Sequence, residues 1–324
     1  MKKILLVLGI LCLPTFAQAL ELDAISPPVK NMTEGGMFSD PEEIPALSGD
    51  ISALKGGQKV FIPYFKVNFN KEVHESGTGE ASSLTSISRA KIVVNVEIKG
   101  FNEEVFQKIT DLAYEDLAAR LAKKGITVMT RGEAKEKSKS FLGELKDAKK
   151  DFPEIDDDVS TYLATDTAYP TGWLAGLRPD GSLSMPPTAI ISDLGAAAVS
   201  VAYQVNYVNV VDSSQDGGTR ASAEISLAPV TNVTGYFQAF TDDHNTRLDM
   251  GQVAYSDIAF GHLENATSAG TKTATAAVAA LGFLMGSGST LDIEDYTLTV
   301  DGIKFFEATL DALKKANQGF VDTL

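Results

Sequence analysis

Residues 199–211, VSVAYQVNYVNVV, constrain the fold more than any other stretch of the chain. Val199, Val201, Tyr203, Val205, Tyr207 and Val211 fall on one side, and Ser200, Gln204 and Asn206 on the other. A period of two sustained over this length specifies a β-strand. A return run sets Ile225 and Leu227 against Ser222, Glu224 and Ser226, and SQDGGT (214–219) between them carries turn residues. The apolar side of such a ribbon needs a cover, either a layer of protein or the acyl chains of a bilayer. About 9–11 alternating residues suffice to cross a membrane as a strand, but aromatic girdles then flank the span. Tyr203 and Tyr207 sit mid-strand instead, which favours a protein layer. The same two tyrosines, with Trp173, are the candidate interaction face. Trp173 lies among Pro170, Gly172 and Gly176, where a loop anchor is the plainer role and a sugar-stacking platform the sharper one.

The chain begins MKKILLVLGILCLPTFAQA. Lys2 and Lys3, the apolar run Ile4–Leu13 and the small residues Ala17 and Ala19 have the order of a secretory signal, so residues 1–19 are expected to be removed on export. Ten or so apolar residues are too few for a spanning helix, which needs about 20. Cys12, the one cysteine, lies inside that run behind Leu11; it lacks the setting of a lipidation site, and the mature chain has no thiol for disulfides, metal or nucleophilic attack. Loss of Lys2 and Lys3 moves the net charge from −15 to −17, with 43 acidic residues remaining. An acidic surface repels phosphates and anionic lipid, so nucleic acid is not an expected partner.

Residues 20–58 hold Pro27, Pro28, Pro41 and Pro45 among small and acidic residues and read as a loosely ordered, extended leader. VFIPYFKVNF then reads as a strand buried on both sides, with Phe61, Phe65, Val67 and Phe69 on one face and Val60, Ile62 and Tyr64 on the other. Residues 70–86 are polar and read as a turn or loop. Ala90, Ile92, Val94, Val96 and Ile98 alternate with polar neighbours in a half-buried strand placed beside the first. FNEEVFQKITDLAYEDLAARLAKKG is the clearest helix: Val105, Ile109, Leu112, Leu117 and Leu121 line one flank with Phe106 and Ala113, Asn102 can cap it, and Gly125 closes it. ITVMT (126–130) follows as a strand, so strand, helix and strand suggest a right-handed crossover in one mixed sheet.

Residues 131–150 read as a charged helix and 151–187 as a long loop or insertion. ISDLGAAA is a short helix or turn feeding the ribbon. GYFQAFTDD is expected as a separate third strand after Asn232–Gly235, and VAYSDIAF (253–260) as a fourth. Ala276–Met285 reads as a short buried or interfacial helix. YTLTV is a strand, and DGIKFFEATLDALKKANQGFVDTL a terminal helix with Ile303, Phe306, Leu310 and Leu313 inward and a fraying end. The fold class is therefore α/β (α+β): a mixed sheet with packed helices and a long hairpin in the second half. Its units are a signal (1–19), a leader (20–58), an α/β half (59–150), the loop or insertion (151–187) and a hairpin-rich half (188–324).

Chemistry-bearing patterns are sparse. His74, His244 and His262 lack the spacing of a zinc site, and no phosphate-binding or nucleophile-elbow motif occurs. Asp156–Asp158 and Asp242–Asp243 would form a hydrolytic carboxylate pair only if the fold brought them together. No catalytic residue, cofactor or metal is assigned.

The segments KVFIPYFKVNF and DLAYEDLAARLAKKGITVMTRGEA, with the pairing of VAYQVNYVNVV and AEISLAPVTNVTG, resemble the curli-secretion channel (CsgG-like) lipoprotein family and envelope proteins with a TolB-like N-terminal α/β module. Val230-Thr231-Asn232-Val233-Thr234-Gly235 matches the family's V-x-x-x-T-G turn. The resemblance spans roughly 58–135 and 190–324. The family's lipidated cysteine has no counterpart here. It implies an α/β core and an envelope role. The expected function is that of a non-enzymatic exported protein acting in binding or assembly at the outer membrane or periplasm. Its partner would be an envelope protein or another copy, with possible membrane association through the hairpin. The alternatives are an oligomeric outer-membrane pore or secretion-channel subunit using the 199–231 hairpin, and a periplasmic hydrolase using the acids.

Overall fold

The computed structural model describes residues 20–28, 30–31, 43–49, 54, 59–82, 87–137, 145–147, 159–170, 191, 194–212, 223–241, 245–268 and 290–324. In chain order these form β1 (Leu47–Gly49), β2 (Lys59–Asn70), β3 (Glu72–Ser82), β4 (Ile87–Lys99), α1 (Glu104–Lys123), β5 (Thr127–Met129), α2 (Arg131–Lys137), β6 (Leu145–Asp147), β7 (Val159–Leu163) and β8 (Ala168–Pro170). The second half adds β9 (Ala197–Asp212), β10 (Ile225–Phe240), β11 (Asn245–Met250), β12 (Ala254–Tyr255), β13 (Gly261–Asn265), β14 (Thr290–Val300) and α3 (Gly302–Asp322).

The larger sheet has the order β1-β11-β10-β9-β2-β5, with β7 also on β2 and β12 on β10. The smaller has the order β13-β14-β4-β3, and β6 pairs with β8 in a short ribbon. β2 runs parallel to β5 and β9, while β9 and β10 form the long antiparallel ribbon. The fold class expected from the sequence, α/β with mixed sheets and a long hairpin, is the one observed.

One core joins both sheets to α1 and α3. Phe106, Ile109, Ala113, Leu117 and Leu121 of α1 recur every three or four residues and are fully buried. Asn102 Oδ1 accepts from the Glu104 N–H at 3.0 Å, and Gly125 at φ +78° closes the helix in a conformation that other residues resist. Asp301 caps α3 by accepting from the Ile303 and Lys304 N–H groups, each at 3.0 Å. Phe305 then meets Tyr207, Phe101 and Phe260, with ring centroids 4.6, 5.6 and 6.0 Å apart.

Several expectations are corrected. β4 does not lie beside β2; it pairs with β3 and β14 in the other sheet. The crossover from β4 through α1 to β5 therefore bridges two sheets, because β5 pairs with β2. Residues 72–82 are a strand rather than a loop: Glu72, His74, Ser76 and Thr78 occupy one exposed face, and Val73, Glu75, Gly77 and Gly79 alternate with them, the two glycines buried opposite Ile92 and Ala90. The 151–187 stretch contains β7 and β8, and 145–147 is a strand within the expected charged helix.

On β2, a register irregularity between Phe61 and Tyr64 reverses the parity of the faces. Phe61 accordingly packs with Met129, Ala134, Leu194 and Ala196, while Val60 and Ile62 join Phe65 in the main core.

GYFQAF is no separate strand, and Val230–Gly235 is no turn; both lie inside β10, where the register shifts between Pro229 and Asn232. Gly235 is needed there because a Cβ would stand 2.2 Å from the Ala202 carbonyl oxygen. Only Ala254–Tyr255 of the 253–260 stretch pairs as a strand, while β11 and β13 went unforeseen.

The inner face of α3 is met in part: Leu313 is fully buried and Phe306 and Leu310 pack against the core, but Ile303 is 72% exposed, the fully buried Phe305 replaces it, and Phe320 and Val321 hold the end in place. The leader is also less loose than expected. β1 pairs with β11, and the Asp23 N–H donates to the Gly261 carbonyl at 2.9 Å. The expected helix at Ala276–Met285 lies outside the described residues.

Candidate functional site

β2 accompanies β9 as far as the pair Phe69 and Val205. At Lys71 the chain leaves the larger sheet, and β3 begins the smaller one. Beyond this point residues 206–212 of β9 pair only with β10, and β3 pairs only with β4, among the described residues. Two strand edges thus open onto a fork, and a cleft of about 470 Å³ occupies it.

Val73 and Glu75 of β3 form one wall, and Asn206, Val208, Asn209 and Val210 of β9 another. Side chains alternate across a strand, so a cleft touching Asn209 as well as Val208 and Val210 reaches the edge of β9. Asn232 of β10 forms the floor. Pro28, Lys30 and Asn31 of the leader and Val253 close the remaining side. The leader wall is fixed in place: the Asn31 N–H donates to Gln252 Oε1 at 2.8 Å, and Gln252 Nε2 donates back to the Asn31 carbonyl at 2.8 Å. Asn31 Nδ2 adds a bond to the Gly251 carbonyl at 2.7 Å.

The floor ends a chain of side-chain amides that crosses three strands. Gln204 Nε2 donates to Asn70 Oδ1 at 3.4 Å, and Asn70 Nδ2 donates to Asn206 Oδ1. Asn206 Nδ2 donates in turn to Asn232 Oδ1 at 3.3 Å. Bonds aligned in this way polarise one another. Asn232 is only 7% exposed, and its own amide N–H groups have no acceptor among the described residues. The carboxylate of Glu75 is exposed and likewise has no ion-pair partner there, whereas Lys30 is held by Glu43 at 2.9 Å. The cleft thus offers amide donors at its floor, aliphatic walls and a free carboxylate at its rim. These groups suit the binding of a polar ligand with a positive charge.

Tyr203 and Tyr207, expected as an exposed interaction face, are each 1% exposed and serve as core residues. The Tyr203 hydroxyl donates to Asn317 Oδ1 at 2.7 Å, and its ring stacks 6.0 Å from Phe320. Burial holds both phenols well above their usual titration range. The ribbon's apolar side is therefore covered by α3, as its mid-strand tyrosines suggested. Trp173, Asp156–Asp158, Asp242–Asp243, His244 and the SQDGGT bend lie outside the described residues.

His74 Nδ1 lies 2.9 Å from Asn95 Oδ1, and His262 Nδ1 lies 2.8 Å from Asp23 Oδ1. Among the described residues no group of three or more His, Cys, Asp or Glu side chains could hold a metal, and no helix is long and apolar enough to cross a membrane.

The cleft was not foreseen from the sequence, although Gln204 and Asn206 were assigned to the polar side of the strand. The spacing of Asn68, Asn70, Gln204, Asn206 and Asn232 held a signal: amides at outward strand positions. Lys66 was also missed. It is 1% exposed on the sheet face away from α3, with Nζ 6.0 Å from the Tyr64 ring centre. Comparison with protein-family models, curated proteins and solved structures finds no match to this chain.

Proposed function

We propose that this chain is a non-enzymatic, exported envelope protein that acts by binding or assembly, with the fork between the two sheets as its binding surface. One observation carries the reading: the cleft presents polar groups free to take a ligand, the Asn232 amide N–H groups and the exposed Glu75 carboxylate, which have no protein partner among the described residues, on walls already held in place by strand pairing and by the Asn31–Gln252 clasp. A preformed site avoids the ordering cost of binding. The export signal at residues 1–19 and the resemblance to envelope proteins support the compartment. The ribbon supports binding over pore formation, since its tyrosine side is spent on α3.

Photo-crosslinking in the intact envelope tests this. The variant Asn209→p-benzoylphenylalanine is expected to give a discrete adduct that the same group at Lys123, exposed at the end of α1, does not give. Absence of an adduct, or identical adducts from both positions, contradicts the reading.

A further inference from the structure

We propose that the cleft takes an extended peptide segment of a partner protein, which adds as a strand to the open edge of β9, sets an aliphatic side chain against Val208 and Val210, and points a cationic group at Glu75. The inference rests on the reading of the cleft as a binding site and names the ligand class. Three observations select a peptide.

The first is topological. Residues 206–212 of β9 have lost β2 as a neighbour, and β3 has no second neighbour among the described residues. The N–H and C=O groups along such edges pair with any extended backbone at about 4.8 Å. Strand addition of this kind takes affinity from the main chain and specificity from pockets for alternate side chains.

The second is the lining. Pro28, Val73, Val208, Val210 and Val253 are aliphatic, and among the described residues no aromatic ring lines the cleft on which a sugar could stack. Valine walls with an amide floor match an aliphatic side chain flanked by peptide groups, which both donate and accept.

The third is charge. Glu75 has no cation of its own among the described residues, on a chain of net charge −15. The field around such a chain draws basic segments and repels acidic ones.

A positional-scanning library of hexapeptides, free and N-acetylated, is titrated against the mature protein. Val, Ile or Leu is expected at one position and Lys or Arg two residues away. Acetylation separates a side-chain cation from a free N-terminus as the group facing Glu75. Glu75→Gln, at an exposed position, should weaken Lys-containing peptides about tenfold and leave their Gln-substituted forms unchanged. Asn232→Ala should weaken all of them. N-methylation of alternate peptide nitrogens should abolish binding in one register and spare it in the other.

Binding that ignores both the charge at Glu75 and N-methylation overturns the proposal. So does binding of N-acetylglucosamine oligosaccharides in place of peptides, although the cleft then remains a binding site. A concentration-dependent dimer in sedimentation, broken by Glu75→Lys and with no peptide binding, assigns the cleft to a second copy and also overturns it. If no probe binds and the position-209 adduct is also missing, the reading of the cleft itself fails.

Discussion

At the scale of single residues, the ribbon is locked to the helices through Asn317. Its Oδ1 accepts from the Tyr203 hydroxyl at 2.7 Å, and its Nδ2 donates to the Ala113 carbonyl at 2.8 Å and to Asp116 Oδ2 at 3.1 Å. Asp116 also takes Arg120 Nε at 2.7 Å. One buried amide thus ties β9, α3 and α1 together with its bonds satisfied. Removing a partner leaves a buried polar atom alone, which costs about 1–3 kcal/mol. Tyr203→Phe is expected to lower stability by about that amount in urea unfolding, and Asn317→Ala by more. A change within about 0.5 kcal/mol for both would mean that the network does not hold the ribbon.

At the scale of elements, α3 separates two readings of one sequence. Of the apolar stripe Ile303, Phe306, Leu310 and Leu313, Leu313 is buried and Phe306 and Leu310 are half-buried, while the buried line runs through Phe305, Ala308, Ala312, Ala316 and Phe320 and leaves Ile303 outside. Alanine and threonine count little in a hydrophobic pattern, so the stripe of large residues lies to one side of the buried line and includes the exposed Ile303. Ile303→Lys should change stability by no more than about 0.5 kcal/mol, whereas Phe305→Ala should cost about 3–5 kcal/mol in thermal or chemical unfolding.

β4 and β9, with strict alternation, and β2, as an apolar run buried on both faces, were legible in the sequence. β3 was not, because glycine stands where an inward apolar residue would show the pattern. β10 was read as two pieces because Pro229 and Gly235 interrupt it; a bulge and a close approach to Ala202 account for those residues.

The leader offers a pH-dependent element. Its Asp23 accepts from the Leu263 N–H at 2.7 Å and faces the His262 imidazole at 2.8 Å. The hydrogen bond to Asp23 and the charge behind it, with Glu264 and Glu21 nearby, raise the imidazole above its ordinary value. A raised folded value makes the stabilisation from the Asp23–His262 contact complete below the unfolded value of about 6.5 and lost as pH rises through the folded one. Hydrogen exchange at residues 21–26, corrected for intrinsic rate, should therefore speed up on going from about pH 6 to about pH 8.5. His262→Asn should remove that dependence. Equal slopes in both proteins would show that the Asp23–His262 contact does not titrate.

At the scale of the whole molecule, the proposed binding surface lies where the two sheets part. The cleft gathers Pro28, Lys30 and Asn31 of the leader, β3, β9, β10 and Val253, which are remote in sequence and meet only because β2 leaves β9 at Lys71. No local pattern announces such a place, and that is why the strands were legible while the site was not. The account depends on the ribbon being covered on its tyrosine side by its own helices, so that its outer end and edge are what remain for a partner.

Single-cysteine labelling tests this most directly, since Cys12 is the only cysteine and falls within the proposed export signal, residues 1–19. Val205→Cys, at a position with no solvent exposure, and Gln204→Cys, at an exposed one, are treated with a maleimide dye in the intact envelope and with brominated-lipid vesicles. The account predicts that position 204 labels at once without quenching by brominated lipid, and that position 205 labels only after unfolding. Rapid labelling at 205, with emission quenched by brominated acyl chains, would place that face against lipid and contradict it.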